Sequence, residues 1–156
     1  MRTANESDPE SATFGPAVSE DLAALVAIDR GSQRPWTYST FENELGNAPP
    51  TLFTLRLATD VIGFVVARFH PPEMDIVNLA VSDGRRRLGF GHILLKSLLE
   101  RARLEGIHQV FLEVREGNQG ARGLYRSLGF GETQRRRNFY KDPVEDAILM
   151  SLGLEP

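Results

Sequence analysis

Arg86-Arg87-Leu88-Gly89-Phe90-Gly91 runs directly into the apolar series Ile93-Leu94-Leu95 and Leu98-Leu99. Two glycines one residue apart give a backbone that can turn its N–H groups inward, and no Cβ keeps a phosphate at a distance. The apolar series has helical spacing, so the loop opens a helix whose N-terminal N–H groups and dipole favour an anion. Upstream, Asp75-Ile76-Val77-Asn78-Leu79-Ala80-Val81 has the composition of a strand. The loop therefore stands at the carboxyl end of a strand, where α/β sheets bind ligands. Strand, loop and helix together point to an α/β fold and to a pyrophosphate. An ordinary glycine-rich turn has the same composition, and the loop alone does not separate the two.

The rest of the chain extends this unit in both directions. Residues 109–114 predict a short strand of high β-propensity, and Asn118 opens a helix that runs to Leu128 and is closed by Gly129. Two strands follow, around 130–140 and 144–152. Ahead of the loop, 51–58 and 61–69 read as a hairpin turning at Thr59-Asp60, with His70-Pro71-Pro72 ending its second arm. Ser19 is expected to cap a first helix carrying Leu22, Leu25, Val26 and Ile28, with Gly31 beyond its end. A second short helix is expected from near Thr37 or Ser39, stopped by Pro49-Pro50. The order is αα-βββ-α-β-α-ββ. Residues 1–12 lack apolar periodicity and are expected to form a mobile tail, with 13–156 as a single domain.

Composition bounds the function. The chain has 156 residues, of which 41% are hydrophobic and 25% charged, enough to bury a core in one domain. With no cysteine there is no disulfide scaffold, zinc ribbon or cysteine nucleophile, and a reducing compartment such as the cytoplasm is expected. No apolar run reaches the ~18 residues needed to span a bilayer, and the first ten residues lack the apolar centre of a secretory signal. A formal net charge of −3 argues against a general affinity for nucleic acid, despite arginine clusters at 85–87 and 135–137. The three histidines, His70, His92 and His108, show no metal-binding spacing.

Six motifs then occur in order: Asn78-Leu79-Ala80-Val81; Arg86-x-x-Gly89-x-Gly91; Leu112-Glu113-Val114-Arg115; Asn118-x-x-Ala121-x-x-Leu124-Tyr125-x-x-Leu128-Gly129-Phe130; Arg136-Arg137-Asn138-Phe139-Tyr140; and Glu145-Asp146-Ala147-Ile148-Leu149-Met150. Over roughly residues 14–152 the chain resembles the Gcn5-related N-acetyltransferase (GNAT) superfamily. The last two motifs and Pro35-Trp36 resemble its RimI-like branch, which acetylates the N-terminal alanine of ribosomal protein S18. The resemblance implies a mixed, mostly antiparallel sheet, splayed between its fourth and fifth strands and flanked by about four helices, with acetyl-CoA in the split and no metal.

Acetyl transfer needs a neutral amine, a held oxyanion and a protonated leaving thiolate. In the strand 109–114, Val110, Leu112 and Val114 share one face, and Phe111 and Glu113 the other. A carboxylate amid so apolar a strand suits either a base for an α-amine of pKa near 8 or an ion pair with a neighbouring arginine; the resemblance implies that Glu113 is the general base. Tyr125 lies two helical turns after Asn118 on the same face. A phenol of pKa near 10 can protonate a thiolate; the alternative is a core aromatic beside Leu124 and Leu128, but Leu124 already supplies the apolar anchor, which favours the acid. The resemblance implies that Tyr125 is the acid and that Asn118, also an N-cap, contacts the cofactor. It further implies backbone N–H groups at Leu79, Ala80 and Val81 for the oxyanion, exposed by a bulge. The pyrophosphate would be held by Arg86, Arg87, Leu88, Gly89, Phe90, Gly91 and His92. Leu88 departs from the arginine or glutamine common there, and a small loss of phosphate affinity is expected at most. Trp36, Arg137 and Tyr140, with the region around Phe41, are expected to form the acceptor groove. The expected activity is direct transfer from acetyl-CoA to a protein N-terminal α-amine in a ternary complex. The alternatives are a small-molecule amine or lysine side chain as acceptor, and a non-catalytic CoA-binding module.

Overall fold

The computed structural model describes residues 11–155, so that nearly all of the expected tail, residues 1–12, lies outside the described residues. The chain groups into two units, one running to Ala67 and including Asn78–Leu98, the other formed by Arg68–Val77 and Leu99–Pro156.

The first unit opens with a strand that the sequence pattern did not announce. β1 (Thr13–Pro16) pairs antiparallel with β2 (Leu52–Leu57), Phe14 opposite Leu55. Four residues are too few for alternation to show; what places them is Phe14, whose ring stacks on Phe53 at 5.2 Å. β2 turns through Ala58-Thr59 into β3 (Asp60–His70), and Ala58 takes up the positive φ of 55° that this tight turn requires. α1 (Leu22–Asp29) and α2 (Tyr38–Leu45) bury Leu22, Leu25, Ile28 and Phe41 against Leu52, Phe64 and Val66. The Phe41 ring meets Phe64 edge-on at 5.2 Å. Thr37 caps α2, accepting from Thr40 N–H at 3.2 Å, as expected. Ser19 does not cap α1. It lies in a 3-10 turn (Ser19–Asp21) that Asp21 closes by accepting the Val18 N–H at 2.8 Å, and at the N-cap position of α1 Asp21 itself makes no side-chain cap bond. The aspartate is also tied to Arg56 across the unit, a long-range partner that local spacing cannot reveal.

β4 (Glu73–Val81) begins in the second unit, where it runs parallel to β5 (Gln109–Arg115) from Glu73↔Gln109 to Ile76↔Leu112, and its last residues, from Asn78, belong to the first. β7 (Glu145–Gly153) is antiparallel to β5 and to β6 (Gly131–Tyr140). α3 (Phe90–Leu104) precedes β5 and α4 (Gln119–Ser127) follows it. Gly106 and Gly129, at φ 81° and 98°, terminate these helices in the left-handed conformation expected of C′ glycines. The strand order is β1-β2-β3-β4-β5-β7-β6, a mixed sheet in which β4 and β5 are parallel. The β4–β5 ladder is registered from Glu73↔Gln109 to Ile76↔Leu112. Among the described residues no helix is long and apolar enough to cross a membrane.

Candidate active site

In the first unit, the loop after β4 has the backbone of an anion cradle. Arg87 and Gly89 both have positive φ, 62° and 90°, and a non-glycine residue in that region costs roughly 1–2 kcal/mol. The first helical bond of α3 is Ile93 N–H to Gly89 O at 3.2 Å. The N–H groups of Phe90, Gly91 and His92 therefore have no acceptor within the helix. The Phe90 side chain is buried and anchors the loop, while Leu88 is 45% exposed. Arg86 binds back onto its own loop, to Val81 O at 3.3 Å and to Asp83 at 3.1 Å. Just upstream, the alternation of β4 fades: Met74 and Ile76 are buried between exposed neighbours, whereas residues 78–81 are all half-buried. Gly63 packs against this segment so closely that a Cβ there would lie 3.2 Å from Ala80 O.

On the same unit, Trp36 is half-buried, its ring 5.2 Å from Phe41, and its main-chain N–H donates to Asp29 at 2.7 Å. Asp29 is 1% exposed and also accepts from Asn78 at 3.4 Å. Burial pushes its carboxyl above the usual range, and the hydrogen bonds from Trp36 and Asn78 oppose that shift. An open cleft of about 520 Å³ elsewhere in this unit is lined by Asp21, Arg56, Asp60 and Arg85 among others, and by none of the expected site residues.

In the second unit Glu113 faces outward from β5 beside Phe111, while Val110, Leu112 and Val114 are buried, as the alternation predicts. Both roles weighed for Glu113 bear on this geometry, because Arg136 on β6 reaches its carboxylate at 3.5 Å. Between Arg136 and Tyr140 the β6–β7 register slips: Arg136 faces Ala147 and Tyr140 faces Glu145. Asn138 has φ 54° there, and its N–H donates to Asp146 at 2.9 Å. Such a bulge re-aims the side chains beyond it. It brings Tyr140 under the Arg115 guanidinium, 4.1 Å from the ring centre. Burial raises the Tyr140 pKa, the negative charge of Glu113 adds to that, and Arg115 opposes it.

Asn118 caps α4 by accepting from Ala121 N–H at 3.1 Å. Seven residues on, Tyr125 is 7% exposed with Phe130 at 5.6 Å, and burial, then Tyr140, pushes its phenol up to about 12. Glu113, Tyr140 and Tyr125 thus act electrostatically on one another in sequence. The anchor expected at Leu124 lies elsewhere: Leu124 and Leu128 are half-buried, and the buried face of α4 carries Arg122 with Tyr125. Arg122 holds Glu132 at 2.6 Å and the Glu116 carbonyl at 2.7 Å. An arginine in a helix reads as surface, and its partners come from the preceding turn and the next strand.

One other expectation changes. Phe41 is wholly buried and belongs to the core, so it cannot line a groove. The cluster at 135–137 is largely engaged: Arg135 bridges Glu116 at 2.6 Å and Asp146 at 3.0 Å, and Arg136 holds Glu113. Arg137 is exposed and feels Asp146 electrostatically.

β4 pairs parallel with β5, a glycine loop opens α3, and β5 carries an outward carboxylate at Glu113. The chain belongs to the acetyltransferase (GNAT) family, whose model matches residues 18–130. It is 36% identical over 139 residues to the [ribosomal protein bS18]-alanine N-acetyltransferase of Salmonella typhimurium, covering 86% of this chain and 92% of that protein. The crystal structure of the ribosomal-protein-S18-alanine N-acetyltransferase from Escherichia coli superposes with a TM-score of 0.84 at 32% identity, covering 93% of this chain and 95% of that one. Ard1 from Thermoplasma volcanium gives a TM-score of 0.85 at 26% identity over 94% and 99% of the two chains.

Proposed function

We propose that the protein transfers the acetyl group of acetyl-CoA to the α-amine of a protein N-terminus, with the N-terminal alanine of ribosomal protein bS18 as acceptor. The observation that carries this reading is the grouping of Glu113, Tyr140 and Tyr125 in a family member 36% identical to an enzyme of that specificity. Glu113, steadied by Arg136, accepts the proton of the incoming ammonium, directly or through a water. Backbone N–H groups at Leu79, Ala80 and Val81 hold the developing oxyanion. Tyr125, whose pKa of about 12 keeps it protonated at working pH, gives its proton to the departing thiolate. Arg86, Arg87, Leu88, Gly89, Phe90, Gly91 and His92 hold the pyrophosphate, mainly by backbone, and Asn118 adds a contact. Trp36, Arg137 and Tyr140 receive the acceptor. Transfer is direct, in a ternary complex, and takes place in the cytoplasm, where ribosomal proteins are made.

The test is CoA release from acetyl-CoA with a peptide bearing the host's bS18 N-terminus, beside a panel of small amines and lysine peptides. The peptide is expected to be the preferred acceptor, and Glu113→Gln to lower turnover at least about tenfold. Preferential turnover of a small amine would sink the acceptor assignment.

A further inference from the structure

We propose that Arg115 is a positioning residue: it holds the Tyr140 ring in place for the acceptor and, through Glu145, fixes the turn from which α4 springs. The proposal rests on the acceptor reading above. Arg115 ends β5, and only 14% of its side chain is exposed. Its guanidinium does two things at once. Its central carbon lies over the Tyr140 ring, 4.1 Å from the ring centre, and one of its nitrogens meets Glu145 Oε1 at 3.3 Å. The other oxygen of Glu145 accepts the Gly117 N–H at 2.6 Å, and a Cβ on Gly117 would stand 2.7 Å from that oxygen. The Arg115 carbonyl accepts the N–H of Asn118, the residue that caps α4, at 3.0 Å. The side chain therefore ties the end of β6 to the start of β7 and, through Glu145, to Gly117, while the main chain of the same residue holds Asn118.

The combination requires arginine. A planar guanidinium can lie over a ring while its edge donates to a carboxylate, whereas a lysine ammonium is a compact point charge that, held by Glu145, no longer spans to the ring. Tyr140 needs such a holder because it follows the register slip and the left-handed Asn138, so that strand pairing alone does not fix its ring. A merely structural ion pair would be satisfied by Glu145 and would be indifferent to the tyrosine.

A double-mutant cycle separates the two. Arg115→Lys, Tyr140→Leu and the double variant are assayed for CoA release with the bS18 N-terminal peptide, alongside acetyl-CoA affinity and melting temperature. Arg115→Lys is expected to raise the peptide KM about fivefold, the worth of one cation–π contact, with kcat and acetyl-CoA affinity little changed. In the Tyr140→Leu background the same change should have almost no further effect. Additive effects on KM, or a lowered melting temperature with KM unmoved, would overturn the proposal. Should Arg115→Lys not fold, Glu145→Gln frees the guanidinium and is expected to raise KM only when Tyr140 is present; an unchanged KM overturns the proposal equally. A wild type that turns over no N-terminal amine fails the acceptor reading itself, and the proposal with it.

Discussion

Tyr125→Phe removes one hydroxyl from a buried position and leaves the ring against Phe130, so the fold should survive it. The effect on rate should be large, because a positioned general acid contributes about 10²–10⁴-fold. The structure adds a second, sharper expectation. Burial pushes the phenol to about 12. At pH 10 such a group remains about 99% protonated, where an unperturbed tyrosine would be about half ionised. The wild-type kcat should therefore show no alkaline limb from this residue up to the pH at which the protein itself fails. The assay is the initial rate of CoA release with saturating peptide across neutral to alkaline pH, for wild type and Tyr125→Phe. Retention of kcat within a few-fold in the variant would refute the acid role. A wild-type limb near pH 10 that the variant lacks would refute the reasoning from burial instead.

Three further changes probe the scaffold. Phe41→Ala empties a fully buried site beside Phe64 and should cost about 3–5 kcal/mol in urea unfolding; a loss below about 1 kcal/mol would mean that the pocket collapses or that Phe41 is not core. Gly129→Ala places a Cβ 3.3 Å from Leu152 Cδ1 on a backbone with φ 98°, and should cost about 1–2 kcal/mol by the same measurement. Asp29 has a folded-state pKa raised above 3.8, so the native chain keeps this proton to higher pH than the unfolded chain. The contribution of Asp29 to stability is thus fully present below 3.8 and is lost as pH rises through the raised value. The melting-temperature difference between wild type and Asp29→Asn should accordingly shift against the wild type as pH rises from about 3.5 to 7, and a pH-independent difference would contradict it.

What the sequence made legible were local devices. The glycine loop, the Asn118 cap, the Gly129 terminator and the alternation that turns Glu113 outward all act within a few residues, where propensity and periodicity operate, and each falls where expected. What escaped depends on partners distant in the chain. β1 is fixed by β2 and by Phe53, nearly forty residues on, and the turn before α1 is closed not by Ser19 but by Asp21, which is also tied to Arg56. Arg122 displaces Leu124 from the buried face of α4 because the Glu116 carbonyl and Glu132 satisfy its charge there. The slip between Arg136 and Tyr140, which aims Tyr140 at Arg115, leaves no mark in a run of exposed residues.

The central claim is that the acceptor is a protein N-terminal α-amine. Mass spectrometry of the bS18 N-terminal peptide after incubation with enzyme and acetyl-CoA tests it, with the same peptide blocked at its N-terminus alongside. The account predicts one added acetyl group on the N-terminal residue of the free peptide and none on the blocked one. Acetylation of the blocked peptide at a lysine, or no acetylation of either while a small amine is consumed, would contradict it.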